Sequence, residues 1–399
     1  MSHTAHRLWL AEGKGEKAPT PRRTVPCMQT AWPHMLLPRL AATVPLVFPF
    51  DQPGLRYRYF ARNAVWDAVH LLGLKGRRVL MPAYHHGVEL ETLLAAGVQP
   101  VFFRVDAQMR ADFEDARAKS GGAAALYAIH YAGFPQDMGA ARQLANELGI
   151  PLVEDCALAL LSTDGEQPLG SFGDVSVFCL YKTIPVPNGG ALLPRGDWAK
   201  KADLLPRPLP PPVASTASHL IGSLLSNLEL RTGELGRRMR QALRDAGRWF
   251  VRRANVERVS TGTQHFNIDD VQLGMSAASH LVLRNQDFAG IVERRRRNYF
   301  LLYAMLRDLA PPITGELKPG VCPLFYPLPV DDKAGAMARL LARGVETVDF
   351  WRVRHPAVPV GAFPETDRLR ERVLELPVHQ DLSPADAEHV AGCVRELLR

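Results

Sequence analysis

The chain has 399 residues, 47% of them hydrophobic and 22% charged, with a formal net charge of +7. That is enough for one large domain and a smaller one, and folding would bury roughly three quarters of the unfolded surface. Six Lys/Arg against Glu12 and Glu16 in residues 1–40 carry four of the seven net charges. The remainder is too nearly balanced to point to nucleic acid, although it tolerates a phosphate-bearing substrate.

Residues 1–35 are polar and lack periodicity, so they are expected to form a disordered extension reaching to about residue 40, with Met28 and Met35 as alternative starts. The apolar stretch 34–50 contains Arg39 and three prolines and is neither a transmembrane helix nor a signal-peptide core. From about Arg62 to Pro194, strand-like and helix-like runs alternate. They are the helix ARNAVWDAVHLLGL, with Val65, Val69 and Leu72 on one face, then RRVLMPAY, VELETLLAAG, QPVFFRVD, a helix near FEDARAKS, AAALYAIHY, DMGAARQLANELG, PLVED, DVSVFCLY and GGALLPR. This order predicts a mostly parallel sheet with helices on both faces.

The stretch LLPRPLPPPVASTAS (204–218) cannot continue either element, because proline lacks a donor and fixes φ. Basic helical segments run on to about Arg253, followed by a polar STGTQ turn. A final block holds a long helix around 281–309, a further helix over 332–343, and a C-terminal helix with Ser383 as N-cap and Pro384 at its first position. The expected division is an extension over 1–40, a large α/β domain over 41–203, a Pro-rich and helical connection over 204–264, and a smaller α/β domain over 265–399. The five cysteines (Cys27, Cys156, Cys179, Cys322 and Cys393) show neither C-x-x-C spacing nor clustering with histidine, so no disulfide framework or metal site is expected, and the location is read as cytoplasmic. Arg294–Arg297 falls in the long helix, where four consecutive residues point to different faces. That run is expected to be solvated helix surface.

Two strand ends carry chemistry. Lys182 follows the apolar run 174–181, and Asp155 ends the run PLVED, 27 positions upstream. A lysine and an acid at the ends of two strands of one parallel sheet suit pyridoxal phosphate, whose aldehyde needs an amine and whose ring nitrogen needs an anion. A phosphate anchor is expected at the N-terminus of the first helix, where Arg62-Asn63-Ala64 stands and unpaired N–H groups and the dipole attract an anion. A ring to cover the cofactor is expected from the next strand end, which offers Tyr84, His85 and His86.

The run VEDCA, the turn Phe172-Gly173-Asp174, then F-C-L-Y-K with Gly189-Gly190 seven and eight positions after the lysine resemble the DegT/DnrJ/EryC1/StrS sugar aminotransferases. The likeness extends over about residues 45–399 and includes AIHYAGFPQDM and the closing LPVHQDLSPADAEHV. It implies the pyridoxal-phosphate-dependent transferase fold of type I, aspartate-aminotransferase-like, and a homodimer with active sites at the interface. It implies that Lys182 is the Schiff-base residue and that Asp155 pairs with the pyridinium nitrogen. Arg62 and Asn63 then fall at the phosphate, His86 at the stacking position, and Cys179 where a serine usually touches the phosphate. A thiol is a poorer donor than a hydroxyl, and Arg62 could supply what it lacks.

This sequence departs from the family pattern in three places. Leu158 stands where a glutamine commonly approaches the cofactor, and the segment between Asp174 and Lys182 is about two residues short. The partner-donated G-x-N-x-R segment is reduced to Phe266-Asn267-Ile268-Asp269, of which only Asn267 carries over. The expected activity is transfer of an amino group from an amino acid, glutamate by resemblance, to a nucleotide-linked keto-sugar. The alternatives are a lyase or dehydratase on the same scaffold, against whose histidine version Lys182 argues, and a non-catalytic cofactor-binding module.

Overall fold

A computed structural model describes residues 24–37, 45–243 and 266–399. In chain order the strands of the main sheet are β1 (Arg56–Arg58), β2 (Arg78–Pro82), β3 (Gln99–Phe103), β4 (Ala123–Ile129) and β5 (Leu152–Asp155). After a short hairpin, β6 (Thr163–Asp164) and β7 (Gln167–Pro168), come β8 (Val175–Cys179) and β9 (Gly190–Pro194). The spatial order is β1-β9-β8-β5-β4-β2-β3. Strands β3, β2, β4, β5 and β8 pair in parallel, whereas β9 runs antiparallel to both β8 and β1. The expected mostly parallel α/β sheet is therefore present.

Side chains alternate across this sheet with a period of two. Val79, Met81, Ala125, Tyr127, Ile129, Val153, Val175 and Val177 share a core with helices α1 (Ala61–Leu71) and α2 (Val88–Ala95). Leu80, Phe103, Leu126, Ala128 and Leu152 pack on the other face against the helices Phe113–Ala118 and Met138–Leu148. Val65, Val69 and Leu72 lie buried, as their spacing predicts.

A second, antiparallel sheet has the order β10-β12-β11, with β10 (Phe325–Pro329), β11 (Val348–Asp349) and β12 (Val373–Pro377). The helices Phe288–Leu306 and Pro384–Leu398 pack beside it. Ser383 caps the latter as expected, its hydroxyl accepting from Asp386 N at 3.2 Å.

Several local expectations are corrected. Strand β8 stops at Cys179, and Lys182 lies in the turn that follows. The long helix is two helices, Ala277–Arg284 and Phe288–Leu306, broken where Asp287 caps the second by accepting from Gly290 N at 2.9 Å. A helix, Val213–Thr232, starts inside the proline-rich stretch, because the residues after Pro212 carry no further proline to obstruct it. The end of the basic helical stretch and the STGTQ turn lie outside the described residues, as do 1–23 and 38–40 of the expected extension.

Residues 24–37 are packed, contrary to the expectation of disorder. Val25 bridges Val345, Thr30 N donates to Asp381 Oδ2 at 2.6 Å, and Ala31 N donates to Ser223 Oγ at 2.7 Å. The segment has no periodicity because its backbone groups are satisfied one by one by backbone and side-chain groups distant in sequence.

Candidate active site

The parallel register sets the site. Asp155 lies opposite Ile129 on one side and Val177 on the other, so the C-terminal ends of β4, β5 and β8 form one rim. Ligands of open α/β sheets collect beyond such rims. Period-two alternation places Tyr127, Asp155 and Cys179 on the α1 face, while Glu154 points to the opposite face. Glu154 accepts there from Phe172 N at 2.8 Å and Gly173 N at 2.7 Å, and from His130 Nε2 at 3.1 Å. His130 Nδ1 accepts from Gln136 N at 3.0 Å, which leaves the proton on Nε2. The buried group His130, Glu154 and Cys156 is thus explained by the loop it holds and needs no metal.

The second register row brings in the helix. Gly190 pairs with Arg58 of β1 and with Cys179 of β8, so the start of α1, three residues beyond Arg58, stands next to the end of β8. A Cβ at Gly190 would come within 2.2 Å of Phe60 C and 2.4 Å of Ala61 N, so only glycine lets β9 pass under the helix terminus. Arg62 is 8% exposed and its guanidinium sits 4.4 Å from the Phe60 ring centroid. Burial lowers its pKa, opposed by Tyr181, Asp270 and Cys179, which places those groups around it.

Asp155 is buried at the rim. Its Oδ2 accepts from the Tyr127 hydroxyl at 2.6 Å and its Oδ1 from Ala157 N at 2.8 Å. Burial raises its pKa above the ordinary carboxylate range, against the pull of Tyr127, Ala157 N–H and Lys182. Lys182 is the common electrostatic neighbour of the site, acting on Asp155, Glu89, His86, Cys179 and Glu375.

The three ring candidates separate clearly. Tyr84 belongs to an aromatic core with Tyr131, Phe350 and Trp351, and His85 stacks on Phe102 with centroids 5.9 Å apart. His86 is the one that feels both Lys182 and Arg62. Burial first, then the charges of Lys182, Arg370 and Arg62, push its pKa down to about 3, so its ring is neutral. Its backbone N–H donates to Glu89 Oε1 at 2.7 Å.

The structure brings together Lys182, Asp155, His86, Cys179 and Arg62, and engages the Asn63 side chain elsewhere. The Asn63 amide is engaged with backbone: Oδ1 accepts from Phe60 N at 3.1 Å and Nδ2 donates to Asp270 O. It therefore supports the helix terminus instead of offering its amide to a phosphate. Asn267 is exposed and its Oδ1 accepts from Asp269 N at 3.1 Å, capping its own short turn beside α1. His379 is turned to the segment 24–37, its Nε2 donating to Pro26 O at 3.0 Å. Trp351 does reach the site, its ring centroid 6.2 Å from that of His86.

Four participants were not anticipated. Tyr127 could have been found, because it shares the Asp155 face two residues before Ile129, its register partner. Glu89, Arg370 and Glu375 carry no local signal, since tertiary packing alone brings them to the rim. Glu375, on β12, is raised to about 8 by burial, against Lys182 and Lys333.

These donors fit pyridoxal phosphate. A buried acid whose ionised form is disfavoured by desolvation is completed by a cation, which a protonated ring nitrogen would supply. A helix N-terminus with a buried arginine suits a phosphate, and the Lys182 amine acts on both Asp155 and Cys179.

The architecture is that of the fold type I transferases. An aminotransferase, TlmJ, from Streptoalloteichus hindustanus superposes with a TM-score of 0.59 at 24% identity, covering 86% of this chain and 85% of that one. The model of the DegT/DnrJ/EryC1/StrS aminotransferase family matches residues 62–206, the segment that bears this site. A GDP-perosamine synthase from Vibrio cholerae is 31% identical over 135 residues, 33% of this chain and 37% of that protein's length. A UDP-N-acetyl-3-dehydro-alpha-D-glucosamine 3-aminotransferase from Acidithiobacillus ferrooxidans is 25% identical over 340 residues, 81% of this chain and 78% of that protein.

Proposed function

We propose that the protein is a pyridoxal-phosphate-dependent aminotransferase that moves an amino group from an amino acid, glutamate, to a nucleotide-linked keto-sugar. The observation that carries this is the placement of Lys182 and Asp155 at one rim of the parallel sheet, with the α1 terminus and Arg62 beside them. The sugar-aminotransferase names of the relatives support the acceptor class.

The bound cofactor supplies an aldehyde that exchanges amines and an electron-poor ring that stabilises a carbanion. The chain supplies the rest. Asp155, held by Tyr127 and Ala157 N–H, keeps a negative charge where the ring nitrogen would lie. Arg62 and the first N–H groups of α1 take the phosphate, with Cys179 beside them and Asn63 bracing the terminus. The neutral His86 offers an uncharged aromatic face. Lys182 Nζ gives up its place to the donor's amine and then carries the proton to and from the reacting carbon, a role worth typically about 10²–10⁴-fold.

A homodimer with sites at the interface belongs to the same reading. Val213, Ile221, Leu235, Met239, Leu243 and Ile268 are large apolar side chains left exposed, the last next to Asn267. The division into a sheet-bearing unit over 41–203, a connection over 204–264 and a smaller unit over 265–399 is likewise proposed from the positions of the two sheets. No helix among the described residues is long and apolar enough to cross a membrane, and the free cysteines suit a cytoplasmic location.

The test is spectroscopic. Protein loaded with pyridoxal phosphate should show a near-visible band that glutamate bleaches, and Lys182→Ala should lose both band and turnover. A band indifferent to glutamate would favour a non-catalytic binding module, and a Lys182→Ala protein that kept band and turnover would overturn the assignment.

A further inference from the structure

The two peptide carbonyls that flank Lys182 are both held from distant parts of the chain. Tyr181 O accepts from Gln29 Nε2 at 2.6 Å. Thr183 O accepts from Gln380 Nε2 at 3.0 Å and from Arg295 Nη2 at 3.4 Å. These donors are joined to one another, for Arg295 donates through Nη2 to Gln29 Oε1 at 3.1 Å and through Nε to Gln380 Oε1 at 2.8 Å. Its remaining arm, Nη1, reaches Pro323 O at 3.2 Å and Leu324 O at 3.1 Å.

Arg295 is the buried member of the basic run that the sequence places on a solvated helix surface, with 1% of it exposed. A buried guanidinium is costly unless its donors are satisfied, and here they meet carbonyl and amide oxygens in a fixed fork. The consequence is directional. Arginine can only donate, so both glutamines must turn their oxygens toward Arg295 and their NH₂ groups toward the carbonyls on either side of Lys182. One cation thereby orients two amides, and the two amides clamp one turn.

We propose that Gln29, Arg295 and Gln380 form a positioning cradle for Lys182, which makes the segment 24–37 a working part of the active site. The proposal rests on Lys182 being the residue that bonds the cofactor. During turnover the Lys182 side chain has to move while its backbone stays in place, and the cradle supplies the stationary part. The three residues act through Lys182 and are positioning residues.

The test uses full-length Gln29→Met and Gln380→Met, alone and together, because methionine keeps length and burial and removes both hydrogen-bonding ends. Arg295→Lys adds a version that keeps the charge without the fork. Three readouts are compared with wild type: the steady-state constants, the melting midpoint, and, in cofactor-free protein, the rate at which an amine-directed acylating reagent modifies Lys182, followed by peptide mass spectrometry. Each glutamine variant should lower kcat by roughly 10- to 100-fold, with KM for the amino donor little changed. At a temperature well below every variant's melting midpoint, which falls because Arg295 loses an acceptor, Lys182 should be acylated several-fold faster, and the double variant should be no worse in kcat than the more damaging single, since both act through one turn. Single variants that match wild type in kcat and acylation, or that change only the melting midpoint, overturn the cradle. The underlying reading fails separately if borohydride reduction of cofactor-loaded wild type fixes the cofactor at a residue other than Lys182.

Discussion

Tyr127 and Asp155 lie on neighbouring parallel strands, and the tyrosine hydroxyl donates to the carboxylate at 2.6 Å on the face shared with Cys179. This bond works against the desolvation that raises Asp155. Tyr127→Phe should therefore raise the carboxyl further, and the acid limb of the pH–rate profile should move to higher pH. Asp155→Asn removes the charge altogether and should lower kcat by about 10²–10³-fold while the band at Lys182 persists. An acid limb that stayed in place in Tyr127→Phe would show that Asp155 does not set it.

The phosphate end tests differently. Cys179 is a weak donor where a hydroxyl would be a good one, and burial keeps it as a thiol. Cys179→Ser should tighten pyridoxal phosphate several-fold, and Arg62→Ala should weaken it about tenfold or more, read by equilibrium dialysis. Equal dissociation constants for wild type and Arg62→Ala would remove Arg62 from the site.

Gly190 should not tolerate a methyl group. The nearest atoms to its missing Cβ are backbone atoms of Phe60 and Ala61, which cannot rotate away. Gly190→Ala should cost about 1–3 kcal/mol in urea unfolding and loosen the phosphate as the α1 terminus is pushed from β8. Gly87, which has nothing near its Cβ but a φ of 116°, is the control in which strain acts without a clash.

Stability should depend on pH through His86 and Glu375, with opposite signs. His86 titrates at about 3 when folded and near 6.5 when unfolded, so between those values the unfolded chain binds more protons and stability falls as pH falls. Glu375, raised to about 8 from 4.5, gives the reverse: folding binds more protons in that window, and stability falls as pH rises through it. Each contributes a slope of up to about 1.4 kcal/mol per pH unit. His86→Phe should flatten the acid side, although His85 and His379 are lowered in the same direction and leave part of it. Glu375→Gln should flatten the neutral to alkaline side. Denaturant midpoints from pH 4 to 9 would show both.

Much of the fold was legible because the strands of a covered sheet announce themselves by apolar runs, and because Asp155 and Lys182 follow two of them directly. The boundaries that were misplaced have local causes. The turn at Lys182 looked like strand because Leu180 and Tyr181 are apolar for packing reasons, and the break at Asp287 was hidden by continuing helical character on both sides. What the sequence could not reveal was partnership across distance. Asn63 carries the same letters whether it caps a helix or meets a phosphate, and Arg295 is indistinguishable in sequence from the solvated arginines beside it. Residues 24–37 lack any pattern because their contacts are made to several elements distant in sequence.

Arg370 has a bearing on how anything reaches Lys182. Its guanidinium donates to Ala83 O and His85 O on the main-sheet side at 3.2 and 3.0 Å, and to Trp351 O on the other at 2.7 Å, while lying 5.2 Å from the Tyr84 ring centroid. Were the two sheets to part along this line, a cation would be left in an apolar seam without the acceptors of one side. The seam is thus riveted, and whatever reaches the half-buried Lys182 does so with the sheets themselves standing still.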